Sequence, residues 1–427
     1  MKLISKLAIA AVLTAGMATT VAVQPAAAQK KGKEDKNAGA LKLSDAVRKP
    51  VAAAQAAVTA KDYPTALAQL AIAEPAATTD DEKYIVAALK LAATAPANDI
   101  QKLSPMLDVL LANPKTPPES LGQYNFFRGQ VALQQKKYAE ALPYLQKAQS
   151  LGFKNDNLNL SIASAMMESG NTAGGLAAID AAIQQETAAG KKPSEDLYNY
   201  AIARVYGKDP VALAAWSQKK LTAYPTAKNW REALLLYREG REKSAQKMDR
   251  GQQIDMFRLM RATKSLADRG DYLEYADTAY IAGLPGEAKM IIEEGKATGK
   301  IPAADSTAGK ILADANTSLK AEGSLSATEA KAKAAANGRS ALGTADAYMS
   351  LGQTAKAIEL YQVALQKGGI DAGEANLRLG VAYAQAGQKD QARTAFQAVP
   401  AGPRKDIASY WMRYLDTGVG GATPVAQ

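Results

Sequence analysis

The chain has 427 residues and a formal charge of +10, and contains neither cysteine nor histidine. The first absence leaves the fold to its core and not to disulfides. The second removes the commonest base near neutral pH, the commonest zinc ligand and every Ser–His or Cys–His nucleophile pair.

Any catalysis would rest on Asp, Glu, Lys, Tyr or Ser. The diffuse positive charge is no sign of a nucleic-acid function.

At the start, Lys2 and Lys6 precede an uncharged apolar run, Leu7 to Val23, and Ala26-Ala27-Ala28 follows. Small residues at those positions predict a secretory signal, residues 1–28, cleaved before Gln29. The run is short and Ala- and Thr-rich for a membrane anchor. No cysteine follows it to carry a lipid. The expectation is an exported protein, most simply periplasmic in a Gram-negative bacterium, with no stable span after cleavage.

Residues 29–45, beginning QKKGKEDKNAGALK, are charged and poor in large apolar residues, which predicts a disordered basic tail. Residues 417–427 read as a flexible tail. Between them, Ala-rich stretches with apolar residues at three- and four-residue spacing are broken by Gly, Pro and Asn, which predicts an all-α chain. We expect a helical array over 46–300 and a second over 301–416; the Gly-, Ala- and Ser-rich segment 296–340 between them is left open as a hinge.

The helical segments repeat one pattern. KDYPTALAQLAIAEP (61–75) looks like the second helix of a first unit. Residues 125–148 supply Gly129, Ala132, Tyr138, Ala141, Leu145 and Ala148, and 160–182 supply Ala163, Met166, Gly170, Gly175, Ile179 and Ala182. Residues 198–225 form a unit that closes on a proline. Ala276, Ala279, Gly283, Ala288 and Ile292 fall at the same offsets, as do Tyr348, Gly352, Ala357 and Tyr361. The last instance, 377–399, has Gly380, Tyr383, Gly387, Ala392 and Phe396; Ala357 and Ala392 are 35 residues apart. Residues 82–114, 228–264 and 303–337 have helical periodicity without the pattern.

These offsets resemble the tetratricopeptide repeat (TPR) family. The resemblance implies a right-handed α-solenoid of stacked antiparallel helix pairs, a superhelix with Gly or Ala where the two helices of a pair cross. It also implies a concave face, made by the first helix of each pair, that takes up a peptide segment of a partner protein. In this phase the groove is expected at Phe126, Gln130, Gln134, Ser164, Met167, Arg204, Asp277, Tyr280, Asp346, Met349 and Gln385. The Lys and Asn carboxylate clamp of some TPR proteins is unsupported, because its positions hold Phe126, Gln130, Leu377 and Val381.

No cofactor or metal motif is found. Lys310 lacks the earlier glycine of a phosphate loop, and Ser340 has neither nucleophile-elbow spacing nor a histidine. Glu168-Ser169 faintly resembles the Glu-Ser of lytic transglycosylases but falls in phase with the ends of other first helices, so a solvated helix end is the plainer reading. Residues 228–264 carry ten basic against five acidic residues, expected mostly as solvated faces or i,i+4 pairs such as Glu239–Lys243.

The leading expectation is a non-enzymatic interaction scaffold. A carboxylate enzyme of cell-wall or polysaccharide chemistry and a self-associating structural protein are the alternatives.

Overall fold

Ala-rich helices with one apolar stripe cannot bury that stripe alone, and within each part of this chain most are laid against a neighbouring helix. The computed structural model describes residues 41–97, 100–244 and 247–419. The expected signal segment lies outside the described residues, as do most of the expected N-terminal tail and all of the C-terminal tail after Val419. The described residues are helical, with no strand among them, and form an all-α repeat solenoid. The chain divides into two units between Leu197 and Tyr198.

The first unit contains α1 (Asp45–Thr59), α2 (Tyr63–Ala73), α3 (Asp80–Thr94), α4 (Ser104–Ala112), α5 (Pro118–Gln134), α6 (Tyr138–Ser150), α7 (Leu158–Glu168) and α8 (Thr172–Ala188). Each helix packs on its successor: α1 on α2, α5 on α6 and α7 on α8 form hairpins. Residues 41–45 do not fit the expected tail. Leu43 is buried, and Ser44 donates from its N–H and its hydroxyl to Glu82, so residues 41–45 are a packed entry to α1 and not part of a disordered tail.

Helix α9 (Glu195–Val205) straddles the division. The second unit continues with α10 (Pro210–Ala223), α11 (Ala227–Glu242), α12 (Arg250–Ala262), α13 (Arg269–Ile281), α14 (Pro285–Ala297), α15 (Ser306–Glu322), α16 (Leu325–Ala334), α17 (Arg339–Ser350), α18 (Thr354–Lys367), α19 (Ala372–Gln385), α20 (Lys389–Gln397) and α21 (Pro403–Thr417). The three segments without the repeat pattern are α3–α4, α11–α12 and α15–α16. One hydrophobic core runs from Leu221 to Trp411, through Ile301, Ala308, Ile311, Ala315 and Ala332. Residues of the segment 296–340 therefore contribute side chains to this core.

The small-residue crossings are as expected. A Cβ on Gly380 would stand 2.4 Å from Phe396 Cε1, and one on Gly129 2.6 Å from Leu145 Cγ. Ala392 and Ala357 are fully buried. Phe396 fills the space beside Gly380 and stacks on Trp411 at 5.9 Å. Tyr383 reaches the preceding pair, where its hydroxyl accepts from Gln362 Nε2 at 2.7 Å.

The second unit does something the repeat pattern does not contain: its last helix returns to its first ones. Helix α21 packs on α19 and α20 and also on α10 and α12. The Trp230 ring of α11 lies 6.4 Å from Tyr410 and 6.3 Å from Tyr414. The Tyr237 hydroxyl donates to the Pro403 carbonyl at 3.0 Å.

Candidate functional site

The eleven expected groove positions divide by burial. Gln134, Asp277 and Gln385 are exposed, and Arg204 and Tyr280 are half-buried. Phe126, Gln130, Ser164, Met167, Asp346 and Met349 are buried, so those six present almost no surface to a partner.

In the first unit, Gln130 of α5 donates to Ser161 of α7 at 2.6 Å, which ties successive first helices together. Phe126 meets the Phe153 ring at 5.3 Å.

In the second unit, the inward faces of α17 and α19 meet α12 and α14 through buried charge. Arg378 of α19 contacts Asp346 at 2.5 Å, Glu374 at 2.7 Å and Asp255 of α12 at 3.2 Å. Arg258 of α12 grips Glu287 of α14 with two bonds, 2.9 and 2.7 Å. Tyr275 donates to Glu287 at 2.5 Å and Tyr361 donates to Asp346 at 2.7 Å.

Burial would raise the Glu287 carboxyl, but the Arg258 guanidinium outweighs it and holds the group below the usual carboxylate range. At Glu374 burial prevails, and the carboxyl is raised despite Arg378 and Arg404. Asp346, read from sequence as groove lining, is a partner of Arg378.

Much of the basic stretch 228–264 is paired. Arg231 pairs with Asp271 at 2.9 Å, Arg261 with Glu294 at 2.7 Å, Arg238 with Glu274 and Arg241 with Asp406. The expected Glu239–Lys243 pair is present at 2.5 Å, but most partners come from other helices. These paired cations tie helices together.

Glu168 is the last residue of α7 and half-buried, at the turn where the repeat phase puts it. Among the described residues no group of three or more Asp or Glu is arranged to hold a metal ion. No helix among them is long and apolar enough to cross a membrane.

One concave site lies where the ends of the second unit meet. A cavity of about 420 Å³ opens between α10, α11 and the start of α21, beside the Arg241–Asp406 pair and the rings of Tyr237 and Tyr410. Burial and the nearby Asp406 charge push the Tyr237 hydroxyl up to about 12, so it is neutral at physiological pH. Val211, on the rim, is 80% exposed. Sequence reasoning missed this site because it needs α21 to return across the unit. The only local signal was a run of small residues, Ala214, Ser217 and Gly240, on two helices outside the clearest repeats.

Tetratricopeptide repeat models match residues 348–412 and 122–153; the first spans α18 to α20 and the second α5 and α6. No curated protein matches the chain.

Among solved structures, the chain is similar to the pentatricopeptide repeat protein PPR10 from maize, at 14% identity and TM-score 0.29, covering 83% of this chain and 53% of that one. It therefore spans about half the length of that protein. It is also similar to the P58(IPK) TPR domain, at 14% identity and TM-score 0.23, covering 86% and 98%. A third likeness is to the apo quorum sensor NprR from B. thuringiensis, at 17% identity and TM-score 0.24, covering 83% and 97%. The fold assignment rests on the helix pairs and the repeat matches.

Proposed function

We propose that this chain is a non-enzymatic protein-interaction scaffold exported to the cell envelope, most simply the periplasm, where it holds a peptide segment of a partner. The observation that carries this is the tetratricopeptide hairpin itself: stacked pairs with Gly380 or Gly129 at the crossing, in the two stretches that the repeat models match. Such pairs use their inner positions for packing and leave a rigid outer surface whose side chains are free to specify a partner. Export is supported by the basic start, the apolar run and Ala26-Ala27-Ala28.

Because six of the eleven groove positions are buried, the partner surface is reduced to the accessible ones. The best of these is on α13, where exposed Asp277 and half-buried Tyr280 stand beside Ile281, which is 53% exposed. An apolar and an aromatic side chain at helical spacing next to a carboxylate suit a peptide with a large apolar residue near a basic or amide group.

The test is a crosslinking pulldown from the envelope fraction with the full chain and with Tyr280→Ala, both checked by circular dichroism. A defined partner captured by the first and lost from the folded variant supports the reading. Equal capture by both overturns the assignment to α13, and no partner at all overturns the scaffold. Intact mass of the purified protein, expected to start at Gln29, tests export separately.

A further inference from the structure

The cavity at the seam of the second unit is shaped by three helix stripes. Pro210, Ala214 and Ser217 line it from α10, Ala233 and Gly240 from α11, and Tyr410 from α21. Recurrence at three, four and seven residues puts each set on one helix face. Ala214, Ser217, Ala233 and Gly240 are small, which leaves space between the two helices and α21. A Cβ added at Gly240 would find nothing within 4 Å.

One polar group in this wall lacks what its counterparts have. Ser161, Ser169 and Thr222 each donate back to the carbonyl four residues earlier. Ser217 is 3% exposed, and its Oγ has no hydrogen-bond partner. A buried hydroxyl without a partner is unfavourable, and it becomes favourable when an incoming group completes the bond. The charges at the rim cancel, because Arg241 is paired with Asp406.

We infer that this cavity is a binding site for a small neutral molecule with a flat aromatic or branched aliphatic body and one hydrogen-bonding group that meets Ser217 Oγ. Its volume lies within the roughly 300–1,000 Å³ of small-molecule sites. A mainly apolar lining, with Gln218 and Ser244 near Ser217 and the Arg241–Asp406 pair at the rim, selects for such a ligand, and the neutral rim favours neither anion nor cation. The site is independent of the peptide-partner surface on α13. It joins α10 and α11 to α21, so its occupant touches both ends of the closed unit and favours the closed form by its differential affinity.

The probe is N-phenyl-1-naphthylamine, titrated into the full chain without its signal. The expected result is a saturable rise in probe fluorescence, one site per chain, with quenching of the tryptophans, since Trp230 lies against the Tyr410 ring. Gly240→Leu and Ala214→Phe fill the cavity from different helices, and each should weaken binding more than tenfold.

Ser217→Ala should weaken the amine probe about fivefold, the worth of one hydrogen bond, and leave 1-phenylnaphthalene, which has no N–H, unchanged. No saturable binding by the unaltered chain, or unchanged binding in both filled variants, overturns the site. Because it compares two probes on one protein, the Ser217→Ala arm stands even if a filled variant fails to fold; equal effects on the two probes overturn the role of Ser217.

Discussion

Arg378 and Asp255 are 123 residues apart in the chain and 3.2 Å apart in the fold. This contact joins the first helix of the last repeat to α12, which lies in a segment without the repeat pattern. Asp255 is fully buried and stands among three guanidiniums, Arg258 at 3.4 Å, Arg378 at 3.2 Å and Arg404 at 3.6 Å. Removing the carboxylate takes a shared partner from all three cations in a poorly solvated interior, although Arg258 keeps Glu287, Arg378 keeps Asp346 and Arg404 keeps Asp371. Asp255→Ala should therefore cost about 3–5 kcal/mol. All three tryptophans, Trp216, Trp230 and Trp411, belong to the second unit, so urea unfolding followed by their fluorescence reports on it. A midpoint that does not move would show that the network does not hold the unit closed.

Two classes of helical glycine should respond oppositely to the same change. At Gly380 an added methyl would overlap the buried Phe396 ring, at 2.4 Å from Cε1 and 2.5 Å from Cδ1. Gly380→Ala should destabilise by about 1–3 kcal/mol although alanine is the better helix former. At Gly309, inside α15, a Cβ would meet nothing within 4 Å. There the entropic benefit is unopposed, and Gly309→Ala should stabilise by about 0.5–1 kcal/mol. Thermal melts of the two variants against the parent decide it; the same sign at both sites would refute the crossing geometry. Ala392→Leu, at a fully buried position on the opposite helix, should behave like Gly380→Ala.

The repeat units were legible because their signal is local. Gly or Ala at a crossing and an aromatic four residues after a small residue are set by the contact of two neighbouring helices. The hairpin turns were harder where lysine replaces glycine: Lys61, Lys136 and Lys264 have φ of 59°, 59° and 55°, the left-handed conformation that Gly170, Gly283 and Gly387 adopt at equivalent turns. Lys264 thus marks a α12–α13 turn that a search for glycine passes over.

The groove was only partly legible. Projecting a concave face assumes that nothing covers it, whereas Asp346 is buried against Arg378 of α19 and the Tyr361 hydroxyl of α18. The seam cavity depends on Tyr237 and Tyr410 meeting across more than 160 residues, which no periodicity encodes.

Glu82 gives a pH dependence of known sign in the first unit. Its carboxylate accepts from Ser44 Oγ at 2.6 Å, Ser44 N–H at 2.9 Å, Thr78 N–H at 2.9 Å and Thr79 N–H at 3.0 Å. The Ser44 hydroxyl and these amides lower its pKa far below the ordinary value, with burial opposing them. A carboxyl depressed in the folded state contributes stability that is full above the unfolded value of about 4.3 and is lost as pH falls toward the folded one. Glu82→Gln should therefore loosen the α1–α3 contact at pH 7, with a difference from the parent that shrinks below about pH 4. Hydrogen exchange of the α1 amides, corrected for intrinsic rates, measures it. A difference that is constant with pH, or that grows toward acid, would remove Glu82 as the titrating group.

Both an ion pair and a set of aromatic contacts join α21 to the rest of the second unit, and they can be told apart. Asp406, the partner of Arg241, has 45% of its side chain exposed, and a pair that open to solvent contributes at most about 1 kcal/mol. Trp411 is 1% exposed, stacked on Phe396 and edge-on to Tyr414 at 5.6 Å. Truncating it removes a large buried surface and leaves a cavity, at a cost of about 3–5 kcal/mol. Asp406→Ala should thus shift the urea midpoint little, while Trp411→Ala shifts it several-fold more, with Trp216 and Trp230 still reporting. If the two variants lost equal stability, closure would rest on charge, and it would then weaken with added salt, which a buried aromatic contact does not.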